Sequence, residues 1–169
     1  MDVSFAPIGE AEARQIAGWQ YDGPYASYNC PAGDVDGFVR VMIDPGNRYF
    51  AARDGGGELV GYCCFGPDAR VPGGRYDDAV LDVGLGLRPN LTGRGFGPDF
   101  VEAIVAFAGE AMSGQRLGMV VAAWNRRAIR AYEKAGFRGM QTFTHDTPGG
   151  RANGSIEWGQ MMRDGCPRR

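Results

Sequence analysis

The sequence predicts a single mixed α+β domain, on three observations. Short segments of alternating apolar residues are interleaved with longer ones whose apolar residues recur every three or four positions. A glycine-rich turn joins two of the short segments into a hairpin. The second half then runs strand, helix, strand, helix, strand, strand. The chain has 169 residues, the length of one ordinary domain, so residues 1–169 are expected to share one core. Apolar residues make up 44% and charged residues 22%, the balance of a globular protein rather than a disordered one.

Each element has a local reason. Residues 3–8 alternate in part and predict a short first strand. Residues 10–19 carry Ala13, Ile16 and Ala17 at helical spacing. An aromatic loop follows, with Trp19, Tyr21, Tyr25 and Tyr28 broken by Gly23 and Pro24. A second helix is expected over 35–43, with Asp34 as its N-cap and Pro45-Gly46-Asn47 ending it. Strands at 49–53 and 59–65 flank the turn Asp54-Gly55-Gly56-Gly57. A further strand spans 79–87. The spacing then predicts a helix over 98–112, with Pro98 at its first position and Phe100, Ile104, Phe107 and Ala111 on its buried stripe. An apolar strand at 117–124 leads into a helix at 125–135, closed by Gly136 as a left-handed cap. Strands at 138–145 and 155–162, joined by a turn at Pro148-Gly149-Gly150, complete about seven strands and four helices.

Composition excludes several classes of function. Lys and Arg number 18 against 20 Asp and Glu, a net charge of −2, which argues against a nucleic-acid binder working by bulk positive charge. No apolar run approaches the ~18–20 residues of a membrane span, and the first residues lack the pattern of a signal peptide. The cysteines Cys30, Cys63, Cys64 and Cys166 form no CxxC pair and His145 is the only histidine, so no metal site is expected. The expectation is a cytoplasmic protein with reduced thiols, in which Cys63 and Cys64 are core residues and His145 is a surface or packing residue.

Glycine is in excess, 28 of 169 residues, or about 17% against ~7% in an average protein. On the strand at 79–87, Asp82, Gly84, Gly86 and Arg88 share one face, while Leu81, Val83, Leu85 and Leu87 share the other. The apolar face suits a core. The glycine face suits either the close approach of a ligand or tight packing. The strand runs into Thr92-Gly93-Arg94-Gly95-Phe96-Gly97 and on into a helix. Such a loop can turn several amide N–H groups towards one anion at a helix N-terminus, a pyrophosphate for instance. Thr92 adds a hydroxyl and Arg94 a charge. The loop is neither a P-loop nor a dinucleotide fingerprint.

The second element is Asn125-Arg126-Arg127-Ala128-Ile129-Arg130-Ala131-Tyr132-Glu133-Lys134-Ala135-Gly136-Phe137. Asn125 can cap the helix. Ala128, Ala131 and Tyr132 fall on one face, so Tyr132 either packs in the core or faces the cleft between the last two strand–helix units.

Together these residues resemble the GNAT superfamily of acetyl-CoA-dependent N-acetyltransferases. The family's loop, Arg/Gln-x-x-Gly-x-Gly/Ala, is matched by Thr92-Gly93-Arg94-Gly95-Phe96-Gly97, with Thr92 in place of the usual Arg or Gln. Its later element, Asn-x-x-Ala-x-x-x-Tyr-x-Lys-x-Gly-Phe, is matched at Asn125, Ala128, Tyr132, Lys134, Gly136 and Phe137. The resemblance implies a central mixed sheet, splayed in the middle and flanked by the four helices. It implies acetyl-CoA as cosubstrate, lying between the strands at 79–87 and 117–124. The pantetheine would pair with backbone at Leu85, Gly86 and Leu87, and an amide there would steady the oxyanion. The phosphates would meet Thr92, Gly93, Arg94, Gly95, Phe96 and Gly97, with Asn125 and Tyr132 also at the cofactor. Tyr132 would be the general acid for the leaving thiolate. Asp82 lies where some members place the base, and reads either as that base or as a structural carboxylate.

In such a fold the acceptor side is shaped by the first two helices and their loop. There Tyr21, Tyr25 and Tyr28 either line a ligand site or close the core, and Asp22 can pair with a cationic acceptor. The function implied is direct transfer of acetyl to an amine of a small molecule or peptide, with no nucleic-acid or membrane partner, by a monomer or a homodimer. The alternative is a non-catalytic acyl-CoA-binding or sensor module on the same fold.

Overall fold

Seven strands form one mixed sheet in the order β1-β2-β3-β4-β5-β7-β6. The protein is described by a computed structural model over residues 2–112, 115–146 and 155–164. In chain order the elements are β1 (Val3–Pro7), α1 (Glu10–Ala17), α2 (Val35–Ile43), β2 (Tyr49–Asp54), β3 (Leu59–Phe65), β4 (Val80–Leu87), α3 (Phe96–Ala111), β5 (Arg116–Ala122), α4 (Arg126–Lys134), β6 (Arg138–Asp146) and β7 (Ser155–Arg163). The element order matches the sequence expectation. The expected turn at Pro148-Gly149-Gly150 and Cys166 lie outside the described residues.

The sheet separates two cores. Alternate residues of a strand point to opposite faces. Cys63, Phe65, Leu81, Val83 and Leu87 therefore meet Phe100, Val101 and Ile104 of α3 on one face. On the other, Ala51 and Leu59 pack with Ile16 of α1 and Val39 and Met42 of α2. Burying each large apolar side chain here contributes about 1.5–3 kcal/mol.

Local details correct several expectations. Helix α3 starts at Phe96, with Gly95 as its N-cap, so Pro98 is the third helical residue rather than the first. Its missing N–H is still harmless, because first-turn amides have no intrahelical partner. Asp34 occupies the N-cap of α2, but its side chain makes no capping bond. Asn125 does cap α4, its Oδ1 accepting from the Ala128 N–H at 3.1 Å. Gly136 follows α4 at φ +84, and the Phe137 N–H returns to the Tyr132 carbonyl at 3.0 Å, satisfying an orphan carbonyl of the helix end. The aromatic loop is a 3-10 turn over Gly23–Tyr28. Residues Cys63 and Cys64 are buried, as expected, on opposite faces of β3, and Cys30, Cys63 and Cys64 are free thiols. His145 lies on the edge strand β6, opposite Ile156.

The decisive feature is a parting of strands. β4 and β5 pair in parallel from Val80 opposite Arg116 to Val83 opposite Met119. Beyond that, residues 84–87 stay paired only with β3. The sheet is open at its middle.

Candidate active site

The opening between β4 and β5 holds a cavity of about 540 Å³. Backbone parity shows what β4 offers to it. The Gly66 N–H donates to the Asp82 carbonyl at 2.8 Å and the Arg88 N–H to the Val60 carbonyl at 2.8 Å. Even-numbered residues of β4 therefore spend their backbone groups on β3. By strand alternation the amide groups of Leu85 and Leu87 point to the open edge. Val83, Gly84, Leu85, Gly86 and Leu87 all line the cavity. An extended chain with amide groups can pair along this edge as an added strand.

The glycine face of β4 is filled from within the protein. A Cβ on Gly84 would lie 2.7 Å from the Cys64 thiol, and one on Gly86 would overlap the Tyr62 ring. These glycines therefore admit neighbouring β3 side chains, which in turn form the cavity wall.

At the end of β4 the loop presents Thr92, Gly93, Gly95, Gly97 and Pro98 to the cavity. Gly93 and Gly95 have φ +74 and +91, a backbone region that other L-residues rarely adopt. Gly97 serves packing: a Cβ there would meet the Ala131 methyl at 3.2 Å, so it sets the approach of α3 to α4. Two expected contributors do not reach the cavity. Arg94 is exposed, its Nη1 3.4 Å from the Asn90 carbonyl, and Phe96 is an exposed ring. The Thr92 hydroxyl is already donated to the Pro89 carbonyl at 2.7 Å.

Positive charge comes instead from α4, where Arg127, Arg130 and Lys134 line the cavity. Arg127 stacks on the Tyr25 ring, 3.9 Å from its centroid. Two arginines in the first turn of α4 oppose the helix dipole, an arrangement that a bound anion would relieve. The sequence showed these cations; their common side on the helix facing the loop is what was missed.

Tyr132 is buried and lines the cavity. Among the described residues its hydroxyl has no hydrogen-bond partner. Burial pushes its phenol up, with the nearby Tyr28 adding to the effect, so it stays protonated and a donor at neutral pH. Asn125 donates from Nδ2 to the Tyr28 hydroxyl at 3.1 Å. It thereby ties the aromatic loop to the start of α4, where Tyr25 and Tyr28 also pack on Trp124. Tyr21 reaches furthest: its hydroxyl donates to the Leu87 carbonyl at 2.9 Å, and burial pushes its phenol up to about 12.

Neither Asp82 nor Asp22 lines this cavity. Asp82 is 5% exposed and accepts from Arg70 Nε at 2.7 Å. Burial raises its carboxyl and Arg70 partly offsets this. Asp22 is exposed and faces a smaller neighbouring cleft of about 290 Å³. The acidic residue on the cavity wall is Asp68, on the 3-10 turn Pro67–Ala69, which periodicity did not mark. The Tyr49 hydroxyl donates to its Oδ2. Cys64 also lines the cavity, its thiol pushed up to about 11 by burial, which makes it a poor nucleophile. Among the described residues no group of His, Cys, Asp and Glu could hold a metal ion, and no helix is long and apolar enough to cross a membrane.

The model of the Acetyltransferase (GNAT) family matches residues 11–137. No curated protein matches the chain. Solved structures share its fold at low identity. A chimera of the Vibrio cholerae spermidine N-acetyltransferase SpeG and hSSAT is 15% identical with a TM-score of 0.75, covering 97% of this chain and 96% of that one. A GNAT-family acetyltransferase from Bacillus anthracis is 17% identical with a TM-score of 0.73, covering 97% and 95%. The acetyltransferase AAC(6')-Ib, in complex with paromomycin and acetyl-CoA, is 20% identical with a TM-score of 0.70, covering 97% and 94%.

Proposed function

Because the chain belongs to the GNAT acetyltransferase family, we propose that it transfers the acetyl group of acetyl-CoA directly to the amine of a small molecule or peptide. The observation that carries this reading is the parting of β4 from β5 after Val83 and Met119, beside a glycine loop that ends at a helix N-terminus. Acetyl-CoA supplies an activated thioester. The open edge at Leu85, Gly86 and Leu87 would hold the pantetheine, and an amide of that edge would polarise the acetyl carbonyl, the usual electrostatic contribution to acyl transfer. Backbone amides at Gly93, Gly95 and Gly97, with the cations of α4, would hold the phosphates. Asn125 keeps the start of α4 in place beside them.

Tyr132 would donate its proton towards the departing sulfur. Its raised pKa does not defeat this role. A thiolate in the same desolvated cavity is itself more basic than in water, so donor and acceptor are shifted together. We place the enzyme in the cytoplasm, where the thiols of Cys30, Cys63 and Cys64 stay reduced.

The test is release of free thiol from acetyl-CoA in the presence of a panel of amines. We expect amine-dependent release, and a fall of roughly 10²-fold or more in kcat for Tyr132→Phe with CoA affinity unchanged. No release with any amine, together with no CoA binding by calorimetry, would overturn the proposal. Tight CoA binding without turnover would favour the sensor reading.

A further inference from the structure

The cavity wall is divided by charge, and the division follows the sheet. Its cations, Arg127, Arg130 and Lys134, are on α4, which packs beside α3 at Gly97 and Ala131, the face of Phe100 and Leu87. Asp68 belongs to the other face. The neighbouring Ala69 lies over Gly84, on the side of Cys64, and the Tyr49 hydroxyl that holds Asp68 belongs to a ring packed 6.0 Å from Tyr62. Trp158 is on that same side. It pairs with Ala122, two and four residues along β5 from Val120 and Gly118, and a Cβ on Gly118 would meet Asp82 and Val80.

This second face is a wall of rings with one acid in it. Tyr49, Tyr62 and Trp158 line it with Asp68. Asp82, on the same side, already has its cation in Arg70 at 2.7 Å. Asp68 has none: among the described residues its only partner is the Tyr49 hydroxyl, on Oδ2. Burial and the neighbouring Cys64 and Asp68 push the Tyr49 phenol far up, so it remains a donor and keeps the carboxylate turned to the cavity. The Trp158 indole N–H is fully buried without a hydrogen-bond partner. A carboxylate with a free oxygen, set among aromatic faces, is the surrounding that an ammonium group prefers.

We propose that Asp68 is the specificity residue of the acceptor site, and that the acceptor is a basic amine carrying no carboxylate beside its cation. Asp68 holds the ammonium form through its free oxygen as the acceptor binds, and the ammonium gives its proton to solvent before the neutral amine attacks the thioester. The rings of Tyr49, Tyr62 and Trp158 cover the apolar part of the acceptor, and an acceptor with its own carboxylate is repelled. This rests on the acetyltransferase reading above.

The probes are 1,4-diaminobutane, 2-phenylethylamine and β-alanine, each titrated into the CoA-loaded protein by calorimetry and each assayed for acetylation. The two basic amines are expected to bind and react, and β-alanine to do neither. Asp68→Asn should raise both Kd and KM for the basic amines roughly tenfold or more, with kcat within about twofold. CoA affinity and melting temperature should be unchanged, and Asp68→Glu should recover part of the loss. Unchanged amine Kd and KM in Asp68→Asn, or a preference for β-alanine, overturns this inference while leaving the acetyltransferase reading intact. A wild-type protein that neither binds CoA nor turns over any amine overturns both.

Discussion

Burial acts on Asp82 and Tyr132 in the same direction and with different consequences. It raises both groups. In Tyr132 that preserves a donor. In Asp82 it makes the charged form costly, and Arg70 offsets only part of the cost. The sign for stability follows. Between the ordinary carboxylate value near 3.9 and the raised folded value, the folded chain holds more proton than the unfolded one, so Asp82 makes stability fall as pH rises through that window. Asp82→Asn removes the titration. The difference between the wild-type and variant melting curves should slope across that window and level off above it. At neutral pH the variant gives up the charged hydrogen bond to Arg70 but is relieved of the larger cost of burying the charge, so it should be at least as stable as wild type, while its kcat stays near wild type. A flat difference would show that Asp82 does not titrate there, and a collapsed kcat would restore it as the base. The strand alternation around Asp82 was legible in the sequence, because it depends on neighbours. Its pairing with Arg70, across the turn after β3, was not. Asp68 lay in a short turn with no period at all, so only the tertiary fold could bring it to the cavity.

At the scale of elements, the aromatic strap and the glycine loop hold the cavity from two sides. The strap is the aromatic loop from Tyr21 to Asn29, closed where the Tyr21 N–H donates to Asn29 Oδ1 at 2.7 Å and tied to α4 where Tyr28 meets Asn125. At its start the Tyr21 hydroxyl occupies the Leu87 carbonyl, an acceptor on the edge assigned to pantetheine. An incoming amide must displace that hydroxyl. Tyr21→Phe removes the competitor, and titration calorimetry should show CoA binding tightened by roughly three- to tenfold; weaker binding would mean that the hydroxyl helps hold the cofactor. On the loop, Gly95→Ala is strained by φ +91 and meets nothing within 4 Å. The cost is therefore backbone strain alone, about 1–2 kcal/mol by chemical denaturation, accompanied by weaker CoA binding. A variant as stable as wild type would show that the loop relaxes. The strand and helix order was readable because each element has its own period. The strap was readable only as an aromatic loop, since its partners Leu87, Trp124 and Asn125 are far away in sequence.

In the whole molecule, the two cores meet across a sheet that is paired on both sides of β4 only as far as Val83. The most open part of the sheet is thus the part assigned to ligand, and a molecule bound there restores pairing that the chain alone lacks. Binding to the folded state should then appear as stability. CoA at 100 times its Kd should add about 2.7 kcal/mol, a rise of about 5–10 °C in Tm for a domain of this size. The charge division makes the effect separable. CoA phosphates would face Arg127, Arg130 and Lys134, two of which, Arg130 and Lys134, are exposed to solvent, so the rise should shrink as salt screens them. Replacing all three by glutamine should remove most of that salt dependence and leave the Kd for 1,4-diaminobutane unchanged. Asp68→Asn should do the reverse, keeping the CoA-induced rise and weakening the amine. If instead both sets of changes weakened both ligands equally, the cavity would be one undivided site, and the assignment of α4 to the cofactor and of the Asp68 face to the acceptor would fail together.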